Sequence, residues 1–171
     1  MAEPQALPEK AFPVSWDQFH RDARALAWRL AASGPFTAIV AITRGGLIPA
    51  ALLSYRGRLH SLMVAVEQPP SDLDELFAKP TFAQFPADPL IKGKRILVVD
   101  SVWSTARSMT AVKARVEQAG GQADLCVLHY RTEDAWGGVK PTYVAEEIGA
   151  WLVYPWEPPE ETGIEESAGV S

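Results

Sequence analysis

Residues 94–108 read Lys-Arg-Ile-Leu-Val-Val-Asp-Ser-Val-Trp-Ser-Thr-Ala-Arg-Ser. The apolar run Ile96 to Val99 suits a parallel strand buried on both faces, and it ends on the carboxylate of Asp100. A short hydroxyl-rich turn follows. Ser108 to Ala119 then reads as a helix closed by Gly120-Gly121, and Ala123 to Tyr130 as another buried strand. Strand, turn and helix in this order fit an anion site. The first amides of the helix and the hydroxyls of Ser104, Thr105 and Ser108 would surround a phosphate, while Asp100 would hold ribose hydroxyls directly or through a metal ion. The same spacing fits equally a tight turn whose Ser and Thr serve only as caps.

Upstream, Ser15 is an N-cap with Gln18 in capping-box spacing, and Phe19, Ala23, Leu26, Ala27 and Leu30 recur on one helical face up to Gly34-Pro35. Phe36 to Ile42 is a second buried strand. Thr43-Arg44-Gly45-Gly46 leads from it into an apolar helix, Leu47 to Tyr55. Glycine lets backbone approach a ligand closely, and Arg44 offers a fork for phosphate or pyrophosphate. A plain strand-to-helix turn with a solvated arginine is the alternative. Leu59 to Val66 reads as a further strand, and residues 67–94, with five prolines and no period, as a long loop of the kind that covers sites. Strand and helix in alternation imply an α/β fold with a doubly wound, mostly parallel sheet and flanking helices. Ligands bind such sheets at the carboxyl ends of the strands, where Thr43–Gly46, Asp100–Ser108 and His129–Arg131 fall.

The 171 residues suit one domain, with an N-terminal arm at 1–13, the folded unit at 14–157 and an acidic, disordered tail at 158–171. A net charge of −5, concentrated in that tail, and the lack of a basic stripe argue against nucleic acid as a partner. No apolar run is long enough for a membrane span. The first residues lack the pattern of a secretory signal, and the single cysteine, Cys126, has no disulfide partner in the chain. Together these features point to the cytoplasm.

The stretches Val14-Ser15-Trp16-Asp17, Ile42 to Ala50, Asp100 to Ser108 and Trp151 to Glu157, in that order, resemble the type I phosphoribosyltransferases. The likeness is nearest to the xanthine-guanine and archaeal purine branch. It implies a hood loop over the site, phosphoribosyl pyrophosphate and a purine base as substrates, Mg2+ carried mainly by the pyrophosphate, and a homodimer or homotetramer. Surplus tryptophans near the C-terminus would suit such an interface. By position, Arg44 and Gly45 match the pyrophosphate loop, and Arg44 and Asp100 the catalytic residues. Asp100 matches the first ribose-binding acid and the metal contact. Ser101, Ser104, Thr105, Ala106, Arg107 and Ser108 match the loop that cradles the 5′-phosphate. Arg131 falls where purine members place a lysine on the exocyclic oxygen of the base, and Trp151 and Leu152 fall at the base itself. Trp156 reads better as a core or interface residue.

Departures lie in the most diagnostic loop. Ser101 stands for the second acid, Ser104 for an aspartate that handles the proton on the base nitrogen, Ala106 for glycine and Ser108 for threonine. A general base typically contributes ~10²–10⁴-fold in rate, so its loss matters. Glu133 and Asp134 are further candidates for that role. Ala106 would be strained if its position needs positive φ, and Trp103 would plug or reshape the pocket. Two readings follow. One is a purine phosphoribosyltransferase making a nucleoside 5′-monophosphate; the other is a weak or inactive homologue that binds a nucleotide or phosphoribosyl pyrophosphate as a regulator.

Overall fold

A computed structural model describes residues 11–68, 80–103, 106–131 and 140–157. Ser104, Thr105, Glu133, Asp134, residues 1–10 of the arm, residues 69–79 of the long loop and the tail 158–171 lie outside the described residues.

In chain order the elements are β1 (Ala11–Pro13), α1 (Trp16–Ala32), β2 (Ala38–Ile42), α2 (Leu47–Gly57), β3 (Leu62–Glu67), β4 (Phe82–Gln84), α3 (Asp88–Ile91), β5 (Arg95–Trp103), α4 (Arg107–Gln118), β6 (Gln122–Arg131), β7 (Tyr143–Ile148) and β8 (Trp151–Val153). The larger sheet runs β4-β3-β2-β5-β6-β7. Every neighbouring pair in it is parallel except β3 with β4. This is the mostly parallel α/β sheet the apolar runs predict.

Strand β2 shows why the sheet needs cover on both sides. All five of its residues are buried. Ile39 and Ala41 join a core with Phe19, Ala23, Leu26 and Leu30 of α1 and Ala50 and Leu53 of α2. Ala38, Val40 and Ile42 join the opposite core with Met109, Val112 and Val116 of α4. Removing one such leucine or valine from water contributes roughly 1.5–3 kcal/mol, so each helix is held by its apolar stripe. At the start of α1, Ser15 Oγ accepts from the Gln18 N–H at 3.1 Å. The Gln18 side chain turns instead to Asp22 and Glu146, so only half a capping box forms.

Three features depart from the sequence reading. Strand β5 does not stop at Asp100. It continues because β6 offers partners, Val102 beside His129 and Trp103 beside Tyr130. The Trp103 side chain is consequently fully buried in the α4-side core, edge-on to Tyr130, and does not plug a pocket. Within the long loop, Phe82–Gln84 adds an antiparallel edge strand to β3, and α3 is anchored by the buried Ile91. Residues 11–13 of the arm pair in parallel with Trp151–Val153, tying the two ends of the folded unit together.

Among the described residues no helix is long and apolar enough to cross a membrane.

Candidate functional site

The carboxyl ends of β2, β3, β5 and β6 open on the same end of the sheet. After β2, the chain turns through Thr43–Gly46 directly against β5. A Cβ on Gly46 would collide with the Val99 carbonyl and stand 2.7 Å from the Ile42 carbonyl, so only glycine fits this backbone-on-backbone approach. On Gly45 a Cβ would stand 2.5 Å from Ser101 Oγ and 2.9 Å from Asp100 Oδ1. The two loops picked out in the sequence therefore touch, with the exposed Arg44 at the tip of the first.

Asp100 is half-buried and accepts from the Ser101 N–H at 2.7 Å. Its carboxyl is pushed up to about 7, chiefly because burial penalises the anion; the neighbouring Glu67 carboxylate raises it further, and the Ser101 amide opposes the rise. Glu67, at the end of β3, is an acid that sequence reasoning passed over. It also accepts a hydrogen bond from Ser108 Oγ at 2.5 Å.

Ser108 sits in the first turn of α4. The residue capping that helix is Ala106, at φ 60°, ψ −3°, in the left-handed region that favours glycine. Alanine has no side-chain atom to cap the helix, and the first turn carries no acid. Its leading amides thus face the site with the positive end of the helix dipole. Arg107 begins the same turn, half-buried.

Behind Ser101 lies a buried polar chain. Tyr154 Oη donates to the Ser101 carbonyl at 2.9 Å and lies 2.9 Å from His129 Nδ1. His129 is wholly buried, and burial lowers its imidazole to about 4, so it is neutral near pH 7. Burial likewise raises the Tyr154 phenol. The chain holds the end of β5 from behind, at the Ser101 carbonyl. The only sequence signal for it was a histidine following the apolar run Leu125 to Leu128.

At the far end of β6, the Arg131 guanidinium lies 4.8 Å from the centre of the Trp151 ring. The structure thus brings these two candidate base contacts together, Trp151 with 42% of its surface exposed. Leu152 differs: its side chain is in the α1-side core, which leaves only its main chain to a ligand. Trp156 stacks on Tyr154 at 4.7 Å and meets Phe19 edge-on, so it packs against the same core.

The family described as phosphoribosyl transferase domain matches residues 15–158. Among solved structures, the purine phosphoribosyltransferase of Pyrococcus horikoshii Ot3 is 29% identical, with a TM-score of 0.74 over 86% of this chain and 95% of that one. A hypothetical protein from Neisseria gonorrhoeae with bound ppGpp is 21% identical over 92% of this chain and 95% of that one, at TM-score 0.76. The xanthine-guanine-hypoxanthine enzyme of Helicobacter pylori is 19% identical over 89% and 97%, at TM-score 0.71. At those lower identities the last two share the fold. That match spans nearly the whole folded unit, in which the Thr43–Gly46 turn is pressed against Asp100 and Ser101 of β5: the chain belongs to the phosphoribosyl transferase domain family.

Proposed function

We propose that this chain is a pentosyltransferase that moves the phosphoribosyl group of phosphoribosyl pyrophosphate onto a purine base of the guanine, xanthine or hypoxanthine type, releasing pyrophosphate. The observation that carries the reading is the contact of Gly45 with Asp100 and Ser101, which joins a leaving-group loop to a ribose and phosphate loop. The α4 amides receive the 5′-phosphate, and Asp100 holds the ribose hydroxyls. Arg44 and the amides around Gly45 take up charge on the departing pyrophosphate. Arg131 donates to the exocyclic oxygen of the base, and Trp151 stacks on its face.

The transition state has oxocarbenium character. Positioning and leaving-group stabilisation therefore carry much of the rate, even with serine at position 101. A divalent cation fits this site, because Asp100 and Glu67 crowd negative charge there. Mg2+ entering with the pyrophosphate would supply charge neutralisation, with Asp100 as its contact from this chain.

Steady-state assays with phosphoribosyl pyrophosphate, Mg2+ and each of guanine, xanthine, hypoxanthine and adenine test the proposal. Nucleoside monophosphate from a 6-oxopurine is expected, and no nucleotide from any base overturns it. Ser101 and the left-handed Ala106 favour one second reading, a regulator that binds without turnover. Calorimetry showing tight guanosine monophosphate binding alongside the absence of product would select it.

A further inference from the structure

On the α1 side of the sheet, behind the end of β5, three side chains from three elements converge. They are Asp22 of α1, His129 of β6 and Glu146 of β7, and one ligand atom from each lies within 4.8 Å of the others. Gln18 Nε2, 3.4 Å from Asp22 Oδ1 and 3.3 Å from Glu146 Oε2, draws the two carboxylates together over the imidazole.

Hydrogen bonding decides which way the imidazole is protonated. The Tyr154 hydroxyl hydrogen goes to the Ser101 carbonyl. Its oxygen can then only accept from His129, so Nδ1 carries the ring hydrogen. Nε2 is left with a bare lone pair, directed at Asp22 Oδ2 at 3.4 Å. Both atoms are buried, and neither has a hydrogen-bond partner. Two acceptors facing each other out of water cost free energy unless something electropositive lies between them.

We propose that Asp22, His129 and Glu146 bind a divalent transition-metal ion, Zn2+ being the best match, at a site separate from that for phosphoribosyl pyrophosphate. The 3.4 Å separation of Nε2 and Oδ2 is close to the edge of a tetrahedron with bonds of roughly 2.0–2.1 Å. An imidazole bound through Nε2, its Nδ1–H held by a hydrogen-bond acceptor, is the usual arrangement at such centres. One nitrogen and two carboxylates suit a borderline ion better than Mg2+ or Ca2+, which prefer oxygen alone. Glu146 is exposed and gives the ion a way in, leaving a fourth position for water. Through His129, Tyr154 and Ser101 the ion would brace the end of β5 that carries Asp100.

The test uses the full chain, stripped of metal, near neutral pH, and does not depend on transferase activity. Isothermal titration with ZnCl2 should show one tight equivalent, and Co2+ should give the visible spectrum of a four-coordinate ion. Nitrogen NMR should assign the bound histidine as His129 and not the exposed His20. Glu146→Gln, at an exposed position, should leave the melting temperature of the metal-free chain unchanged and weaken Zn2+ by about tenfold or more. His20→Gln should bind as the parent does. Absence of a stoichiometric site, unaltered affinity in Glu146→Gln, or a His129 nitrogen signal that does not respond to Zn2+ would each overturn the proposal. The last of these, with a proton found between His129 and Asp22, would assign the pair to a shared hydrogen bond.

Discussion

Gly45 and Asp100 are 55 residues apart in sequence, yet a single methyl group on Gly45 would sit 2.9 Å from the Asp100 carboxylate and 2.5 Å from Ser101 Oγ. The obstructing atoms are ends of side chains, which can rotate aside. Gly45→Ala is therefore expected to fold with a loss of about 1–2 kcal/mol and to lose most of its kcat/KM, because Asp100 and Ser101 move. Its neighbour makes the contrast. On Gly46 the obstruction is the backbone of Val99 and Ile42, which cannot yield, so Gly46→Ala should cost about 3 kcal/mol or more. Denaturant melts alongside kinetics separate the two, and a Gly45→Ala enzyme of parental activity would contradict the loop contact.

Asp100 predicts an acid limb in the pH profile. With its carboxyl pushed up to about 7, kcat/KM for phosphoribosyl pyrophosphate should rise as pH climbs through about 7 and the anion forms. Glu67→Gln removes a neighbouring negative charge and should move that limb to lower pH. Stability runs the other way. The folded chain holds this proton more tightly than the unfolded one, whose carboxyl lies near 3.8. The contribution is thus full below about pH 4 and lost as pH rises through about 7. Asp100→Asn escapes that loss, so its melting temperature relative to the parent should climb across this window. A constant difference between the two would refute the shift.

The strands and helices that carry the loops were legible because their signals are local. Ile96–Val99 and Ala38–Ile42 are unbroken apolar runs, and Ser15 and Gly120-Gly121 are caps and stops. Strands β1, β4, β7 and β8 were not legible. They are partly exposed, β1, β4 and β8 are only three residues long, and they become strands only through partners elsewhere, as Ala11–Pro13 does with Trp151–Val153. The site divides the same way. Asp100, Gly45 and Ser108 announce themselves by residue type beside a strand end. Glu67 and Tyr154 depend on which strand ends the sheet order places together, and Trp103 was misjudged because β6 prolongs β5 past Asp100.

Ala106 occupies a left-handed conformation at φ 60°, where an L-residue costs about 1–2 kcal/mol. Glycine would relieve this, but would also free the unfolded chain by about 0.4–1 kcal/mol and give up a largely buried methyl of about 0.8 kcal/mol. These effects nearly cancel. Ala106→Gly should therefore alter unfolding free energy by no more than about 1 kcal/mol in urea, which explains how alanine is tolerated at the start of α4. A gain of several kcal/mol would show that the loop is held under strain by its surroundings.

Trp151 offers the cleanest separation of base binding from the rest of the reaction. Its ring is 42% exposed and carries Arg131 on one face, so truncation removes little core. Stacking of a nucleic-acid base on an aromatic side chain is worth ~1–3 kcal/mol, and 1.4 kcal/mol is tenfold in affinity. Trp151→Ala should raise KM for the base by about tenfold or more while leaving KM for phosphoribosyl pyrophosphate near the parental value. Trp151→Phe, which keeps a flat ring, should restore most of the loss. If both variants instead weaken the two substrates equally, Trp151 acts through the β1–β8 pairing and not through the base.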